Sequence, residues 1–254
     1  MKAETPTRIQ SVRRAAAALE VVARASGGVR AAEMAAALEV PLPTAYHLLN
    51  TLTEEGLLTK LDDRRYQLGP RVGVLAEAFA AQISAPEHLV ARLRELSDRT
   101  GETSYLSAWR RGDSVLLSII EGRQAVRVSG LHLGYSGLTH ARASGKVLLA
   151  YGPPGTIEAY LQSHAMETPT RRTVNDGGAL QAEAARTRAA GYAVDEEEFA
   201  EGVSCVAAPV ADGSMAIGIS APSERFRERR AELIDTVVEI ASMTMIPSLR
   251  SATA

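Results

Sequence analysis

The segment Ala143-Ser144-Gly145-Lys146 has the composition of the end of a nucleotide phosphate loop. His140 stands where such a loop requires its first glycine, and Val147 replaces the hydroxyl residue that would hold magnesium. Nucleotide hydrolysis is therefore not expected. Small residues that lead into a helix nevertheless predict an anion site, because the free amide groups and the positive end of the helix dipole favour a carboxylate.

A second candidate for chemistry is Cys205, in an apolar stretch where a cysteine usually behaves as a small buried hydrophobe. A nucleophilic thiol would need a neighbouring base, and the histidines are too scattered along the chain to nominate one. The acidic run Asp195-Glu196-Glu197-Glu198 follows a short predicted strand and is expected to be a solvated loop. An enzyme that uses Cys205 or Asp195 stays open as an alternative.

A polar helix face near the N-terminus indicates chemistry of a different kind. A helix that begins near Pro43 places its apolar residues on one stripe, formed by Ala45, Leu48, Leu49 and Leu52. The other side carries hydrogen-bonding side chains, namely Thr44, Tyr46, His47, Asn50 and Thr51. A short helix over 31–38 precedes it across a tight connection. We expect a helix-turn-helix whose second helix reads bases, since an α-helix fits the major groove of DNA.

Basic residues flank this unit on both sides. The first 30 residues hold six basic side chains against two acidic ones, and Arg8 and Arg13 are the candidates there for phosphate contacts. After Gly56, two short strands around Asp62-Asp63 predict a wing with Arg64 and Arg65 at its tip. These arginines either approach DNA or are neutralised by the two aspartates. A small protein-interaction domain is the alternative for the whole unit.

Apolar residues of a helix over 12–23 recur at helical spacing, and the predicted buried stripe is Val12, Ala16, Leu19, Val22 and Ala23. A second narrow stripe follows Gly69-Pro70 and comprises Val72, Leu75, Ala76, Phe79 and Ile83. A helix with such a stripe can pair with its own copy, or it can pack against a neighbouring domain.

Strands and helices alternate irregularly after Pro86, which favours an α+β layer domain with an antiparallel sheet. The predicted strands lie at 103–109, 115–121, 125–130, 192–194, 204–210 and 215–221. The predicted helices follow Pro86 and lie at 144–151, 154–164, 178–190 and 226–249. We therefore divide the chain into a DNA-binding domain (1–70), a linker helix (71–85) and a second domain (86–254).

Composition sets the class of protein. The 254 residues are 46% hydrophobic and 23% charged, with a net charge of −2, as in ordinary soluble globular proteins. No apolar stretch long enough to span a bilayer and no signal peptide is visible, so we expect a cytoplasmic protein without membrane association. The single cysteine excludes an internal disulfide and a four-ligand zinc site, and we expect no metal or cofactor.

The chain resembles the IclR family of bacterial regulators from about Ile9 to Leu249. The specific blocks are His140–Ala150, Gly191–Glu197 and Gly202–Val210, in this order. The resemblance implies a winged helix-turn-helix, a linker helix and a GAF-like effector domain. It also implies binding to a double-stranded DNA operator as a homodimer or a tetramer (a dimer of dimers), under control of a small organic acid or aromatic compound. A regulator without an effector is the other possibility.

The family's effector site is implied to lie between the small-residue loop, the acidic turn and the central strands. Carried over by position, its residues here are Val126, Gly137, Ala143, Ser144, Asp195, Cys205, Gly218 and Ser220. Two positions depart from the family pattern. His47 replaces a common arginine, so phosphate contacts fall to the N-terminal arm and the wing. Arg142 replaces a small residue, and it either pairs with an effector carboxylate or points to solvent.

Overall fold

A computed structural model describes residues 9–124 and 132–244. The chain forms two compact units that divide between Gln82 and Ile83. Arg8, Val126 and the strand expected over 125–130 lie outside the described residues. Among those that are described, no helix combines the length and the apolar character that crossing a membrane requires.

The first unit is a helix-turn-helix followed by a two-stranded antiparallel wing and a further helix. Its elements are α1 (Gln10–Arg24), α2 (Ala31–Ala37), α3 (Leu42–Glu54), β1 (Leu58–Lys60), β2 (Tyr66–Leu68) and α4 (Pro70–Gln82). Pro41 precedes α3 with an extended backbone, which separates α2 from α3. Gly56 then adopts a φ of +69° and turns the chain from α3 into β1.

The core of this unit confirms the predicted stripe on α3. Ala45, Leu49 and Leu52 are buried against Met34 of α2 and Val22 of α1. The stripe predicted for α1 is partly wrong, because Val12, Ala16 and Ala23 are exposed and the buried side runs through Ala18 and Val22 instead. Alanines occupy both sides of α1, so the contrast in hydrophobicity between its faces is too small for periodicity to identify the buried one.

The second unit is a five-stranded antiparallel sheet with helices on both faces, which confirms the α+β prediction. Its strands are β3 (Thr103–Arg110), β4 (Asp113–Ile120), β5 (Ala193–Glu196), β6 (Val203–Val210) and β7 (Met215–Pro222), in the spatial order β4-β3-β7-β6-β5. Its helices are α5 (Glu87–Thr100), α6 (Ala143–Tyr151), α7 (Thr156–Ser163), α8 (Gly177–Ala190), α9 (Ser223–Glu228) and α10 (Arg230–Ser242). A short 3-10 turn, Thr139–Ala141, precedes α6.

The two faces of the sheet differ in character, because successive residues of a strand point to opposite sides. One face, with Leu106, Val206 and Ile219, packs against α5 and α10 and forms the larger apolar core. The other face packs against α6 through small and polar residues, including Ala207 and Ala216. We refer to it below as the α6 face.

The single closing helix expected over 226–249 is wrong in its described part. The chain forms α9 and α10 with a break at Arg229, where φ is −111°. The Arg229 guanidinium donates to the Thr100 carbonyl at 2.9 Å and to the carboxylate of Glu232. The hydrogen bond to Thr100 is a tertiary contact with α5, and it holds a non-helical residue that the amphipathic pattern alone does not reveal.

Candidate functional site

The exposed side of α3 carries a row of hydrogen-bonding side chains. Tyr46, His47, Asn50 and Thr51 are exposed, whereas Ala45 and Leu49 on the opposite side are fully buried. The Thr51 hydroxyl donates to the His47 carbonyl at 2.9 Å, so its donor is used within the helix. Thr44 is half-buried and, with His47 and Thr51, borders a groove of about 400 Å³ between α1 and α3. The helix can therefore present amide, imidazole and phenol groups to a partner.

The two arginines of the wing have different surroundings. Arg64 is exposed and adopts a φ of +64° at the turn between β1 and β2. Arg65 is half-buried, because its guanidinium lies 3.2 Å from the Asp63 carboxylate and donates to the Gly28 carbonyl at 3.2 Å. Arg13 is exposed on α1. Arg64 and Arg13 are thus available for contacts with an anion, and Arg65 fastens the wing to the α1–α2 connection.

A second constellation lies on the α6 face of the sheet. Asp195 of β5 is opposite Cys205 of β6, and Cys205 is opposite Ser220 of β7, so the three residues form one row across three strands. The Cys205 thiol donates to the Ser220 hydroxyl at 3.3 Å. Gly218 lies two residues before Ser220 on the same face. The strand register therefore brings together four residues that are distant in sequence.

The N-terminus of α6 covers part of this row. Ala143 and Ser144 are buried, and the Ser107 hydroxyl of β3 donates to the Ser144 hydroxyl at 3.1 Å. Gly145 allows α6 to pack closely against the preceding 3-10 turn, because a Cβ at that position would lie 2.0 Å from the Thr139 carbonyl oxygen. Gly137 adopts a φ of +98° in the loop before the 3-10 turn. Its carbonyl accepts a hydrogen bond from Arg142 at 3.5 Å.

The acidic run after β5 is not the solvated loop that its composition predicts. Asp195 is 1% exposed, and its Oδ1 accepts hydrogen bonds from the amides of Glu198 at 2.7 Å and Phe199 at 3.2 Å. Its Oδ2 is buried without a partner among the residues that the structure describes. Burial raises the pKa of this carboxyl to about 7. The charge of Glu198 also raises the pKa, whereas the hydrogen bonds from the two amides lower it. At neutral pH a large fraction of Asp195 is therefore protonated.

Burial also determines the protonation state of Cys205. Desolvation, with a further contribution from Asp195, raises the pKa of the Cys205 thiol to about 12. A thiolate is the reactive form of cysteine, so Cys205 is a neutral, weakly polar wall residue at physiological pH.

Sequence reasoning missed several groups of this constellation. Tyr105 of β3 lies against Gly218, where a Cβ would be 2.9 Å from the phenol oxygen. Burial raises the pKa of Tyr105 well above its usual value, so the phenol stays neutral. Ser107 joins the site through Ser144. The alternation of Tyr105, Ser107 and Trp109 along a predicted strand was the available signal, since it places all three on one face.

A buried ion pair lies beneath the acidic turn. Lys146 of α6 is 2% exposed, and its Nζ contacts the Glu198 carboxylate, lies 3.7 Å from Glu183 and donates to the Val194 carbonyl at 3.0 Å. The lysine therefore links α6 to the turn that holds Asp195. The sequence signal was a single charged residue within an otherwise apolar helix.

Comparisons with known proteins agree with this architecture. Residues 11–62 match the IclR helix-turn-helix domain, and residues 83–244 match the bacterial transcriptional regulator IclR C-terminal domain. The HTH-type transcriptional regulator BhcR of Paracoccus denitrificans is 32% identical over 246 residues, which cover 94% of this chain and 87% of that protein.

Solved structures have the same fold. The Thermotoga maritima IclR structure superposes with a TM-score of 0.73 at 25% identity, covering 92% of this chain and 97% of that one. An IclR homolog from Microbacterium hydrocarbonoxydans, solved in complex with 4-hydroxybenzoate, superposes with a TM-score of 0.66 at 21% identity, covering 91% and 98%. The family matches span both units, and the polar face of α3 lies within the helix-turn-helix match. The chain therefore belongs to the IclR family of DNA-binding transcriptional regulators.

Proposed function

We propose that this regulator reads its operator through the exposed side of α3, with Tyr46, His47, Asn50 and Thr51 toward the base edges. The observation that carries the proposal is the polar row on α3 directly opposite a fully buried stripe. Asn50 is the strongest candidate for base reading, because an amide side chain can form two hydrogen bonds with adenine. Thr44 would contribute at the N-terminal end of the helix.

Phosphate contacts are assigned to residues outside this row. Arg64 at the wing and Arg13 on α1 are exposed, and Arg8 belongs to the same basic N-terminal segment. Such contacts position a protein on the duplex without reading its sequence. Arg65 would add little to them while its guanidinium is engaged by Asp63 and Gly28.

Asn50→Ala is expected to reduce the preference for operator over random DNA about 5-fold to 150-fold, because a paired amide–adenine contact contributes about 1–3 kcal/mol of discrimination. Arg64→Ala is the matched variant, since it removes a charge and no base contact. It should weaken binding to both DNAs equally and lower the slope of log affinity against log salt by about 1. Fluorescence anisotropy at several salt concentrations measures both effects. Equal losses on operator and random DNA for Asn50→Ala would reject its role in base reading.

We further propose that a small effector binds on the α6 face and changes the affinity for the operator. The binding set is Gly137, Ala143, Ser144, Asp195, Cys205, Gly218 and Ser220, with Val126 as an eighth member outside the described residues. Support comes from the Oδ2 of Asp195, which is buried without a partner among the described residues and lies in the same row as Cys205 and Ser220. The complex of the Microbacterium homolog suggests aromatic acids among the compounds to test.

The site is suited to binding rather than to turnover. The neutral thiol of Cys205 argues against nucleophilic catalysis. A ligand can regulate DNA binding only if it has different affinities for two arrangements of the protein.

Ser144→Leu is expected to abolish the effector response, because the added methyl groups would occupy the space between the N-terminus of α6 and Ser107 of β3. The response is the change in operator affinity on adding a compound that binds the wild type. Ser163→Leu on the exposed part of α7 is the matched control and should respond normally. A response of wild-type size in Ser144→Leu would remove Ser144 from the site.

The assembly is proposed to be a homodimer or a dimer of dimers. The residues of α4 that the structure describes include none that is buried, and Val74, Leu75 and Phe79 are large apolar side chains exposed there. Val12 on α1 is also exposed. A second copy of the chain could cover these residues, with the segment 71–85 acting as the linker between the domains 1–70 and 86–254. Regulation of bacterial genes would place the protein in the cytoplasm.

A further inference from the structure

Arg142 immediately precedes α6 and is the most deeply buried arginine side chain beside the proposed effector site. It is 7% exposed, which contradicts the alternative in which it points to solvent. Its Nη1 donates to the Ser114 carbonyl at 3.0 Å and to the Gly137 carbonyl at 3.5 Å. The guanidinium lies over the Tyr135 ring at 4.9 Å from its centroid. These contacts fix the orientation of the group at the edge of the site.

In the described part of the chain, no ion pair balances the charge of Arg142. Within residues 9–124 and 132–244, no carboxylate lies within 4.0 Å of its guanidinium. Two further cations of this unit each have a carboxylate partner that is buried or largely buried, Lys146 with Glu198 and Arg225 with Glu102. Asp113 is the carboxylate whose charge raises the pKa of Arg142. It already accepts hydrogen bonds from the Ser114 amide and the Thr139 hydroxyl. A buried charge without a counterion is costly, so this position is suited to an anion supplied from outside.

Arg142 and Asp195 are linked through two aromatic rings. The Tyr135 ring under the Arg142 guanidinium contacts the Phe199 ring edge-on at 5.7 Å between centroids, and the Phe199 amide donates to Asp195. The charges of Arg142 and Asp195 both affect the pKa values of the Tyr105 phenol and the Cys205 thiol. Among the described residues, the Arg142 guanidinium has no carboxylate within 4.0 Å, and the Oδ2 of Asp195 has no hydrogen-bond partner. The N-terminus of α6 adds its positive dipole end on the side of Arg142. The two groups need different partners. The Arg142 guanidinium needs a negative charge, and the Asp195 carboxyl needs a neutral polar atom.

We propose that Arg142 is the specificity-determining residue of the effector site and selects a monocarboxylate, whose second polar group, a hydroxyl or a carbonyl, lies against Asp195. The planar guanidinium donates two parallel hydrogen bonds to a carboxylate, which a neutral amide cannot accept with the same strength. A second carboxylate on the ligand would have to be buried beside the Asp195 carboxyl, and burying a further charge there is costly. This inference rests on the proposed effector site.

The test compares acids with their neutral amides. Wild-type protein is titrated by calorimetry with 4-hydroxybenzoate, 4-hydroxyphenylacetate, lactate and glycolate, and with the primary amide of each. We expect at least one acid to bind with a Kd about tenfold or more below that of its amide. In Arg142→Met the acid should bind about 30-fold more weakly, with the Kd of the amide nearly unchanged, and Arg142→Lys should lie between.

Arg188→Met is the matched control, because the Arg188 guanidinium also donates to a backbone carbonyl of α6, that of Ala150. It should bind the acid with a Kd within about twofold of the wild-type value. If Arg142→Met does not fold, Arg142→Lys and the acid-to-amide ratio of the wild type decide the question. The proposal is overturned if no acid binds more tightly than its amide, or if a folded Arg142→Met retains the preference. Operator binding without any ligand, measured in parallel, tests the regulator function separately.

Discussion

Lys146→Met is expected to lower the free energy of unfolding of the C-terminal unit by about 3–5 kcal/mol, because it leaves the largely buried carboxylate of Glu198 without its counterion. Lys146 is 2% exposed, and the side chain of Glu198, which it contacts, is 13% exposed. Burial raises the pKa of Glu198, and the charge of Lys146 opposes this shift. The measurement is urea unfolding followed by circular dichroism.

Arg186→Met is the control for this experiment. Arg186 contacts the same Glu183 that lies near Lys146, but its side chain is 68% exposed. Removing such a surface pair should cost less than about 1 kcal/mol. Lys146→Met combined with Glu198→Met should be less destabilising than Lys146→Met alone, since no buried charge is left unpaired. Equal effects of Lys146→Met and Arg186→Met would contradict the importance of the buried pair.

Asp195→Asn is expected to stabilise the protein by about 2–4 kcal/mol at about pH 8 and to have little effect at about pH 4. The carboxyl has a pKa of about 7 in the folded protein against an ordinary value of 3.8. Between these values the folded protein holds a proton that the unfolded chain has released. The wild type therefore loses stability as the pH rises from about 4 to 7, and an asparagine, which cannot ionise, avoids that loss.

The substitution is close to isosteric, because the asparagine oxygen can still accept the hydrogen bonds from the amides of Glu198 and Phe199. Unfolding midpoints of both proteins over this pH range measure the effect. Glu196→Gln, one residue later with a half-exposed side chain, is the control and should differ from the wild type by less than about 0.5 kcal/mol throughout. If Asp195→Asn were more stable than the wild type by the same amount at every pH, ionisation of Asp195 would not be the cause.

A carboxyl group that destabilises its own fold at neutral pH is typical of a functional position. An asparagine would meet the structural hydrogen bonds of Asp195, so stability alone gives no reason for an aspartate there. Within the described residues, the Oδ2 of Asp195 has no hydrogen-bond partner and Arg142 has no ion pair, and a bound ligand would complete both.

The helix-turn-helix could be predicted almost completely from the sequence. The spacing of Ala45, Leu49 and Leu52 identifies the buried side of α3. Asn50 and His47 must then lie on the exposed side. Alanine-rich α1 shows the limit of this reasoning, since its buried side differs from the predicted one. Arg65 shows another limit, because nothing local indicates that its guanidinium reaches the Gly28 carbonyl.

For the effector site, the sequence by itself determined the α+β class, the small-residue entry into α6 and, by resemblance, the positions to consider. Only the tertiary structure decided which way Arg142 points, that Asp195 is buried, and that Tyr105 and Lys146 belong to the same region. The physical reason is that these properties arise from pairing between strands distant in the chain and from desolvation by elements on the other side of the sheet. The hydrophobic periodicity of a segment reports only its local conformation. It therefore shows neither the pairing of distant strands nor the desolvation of a side chain by another element.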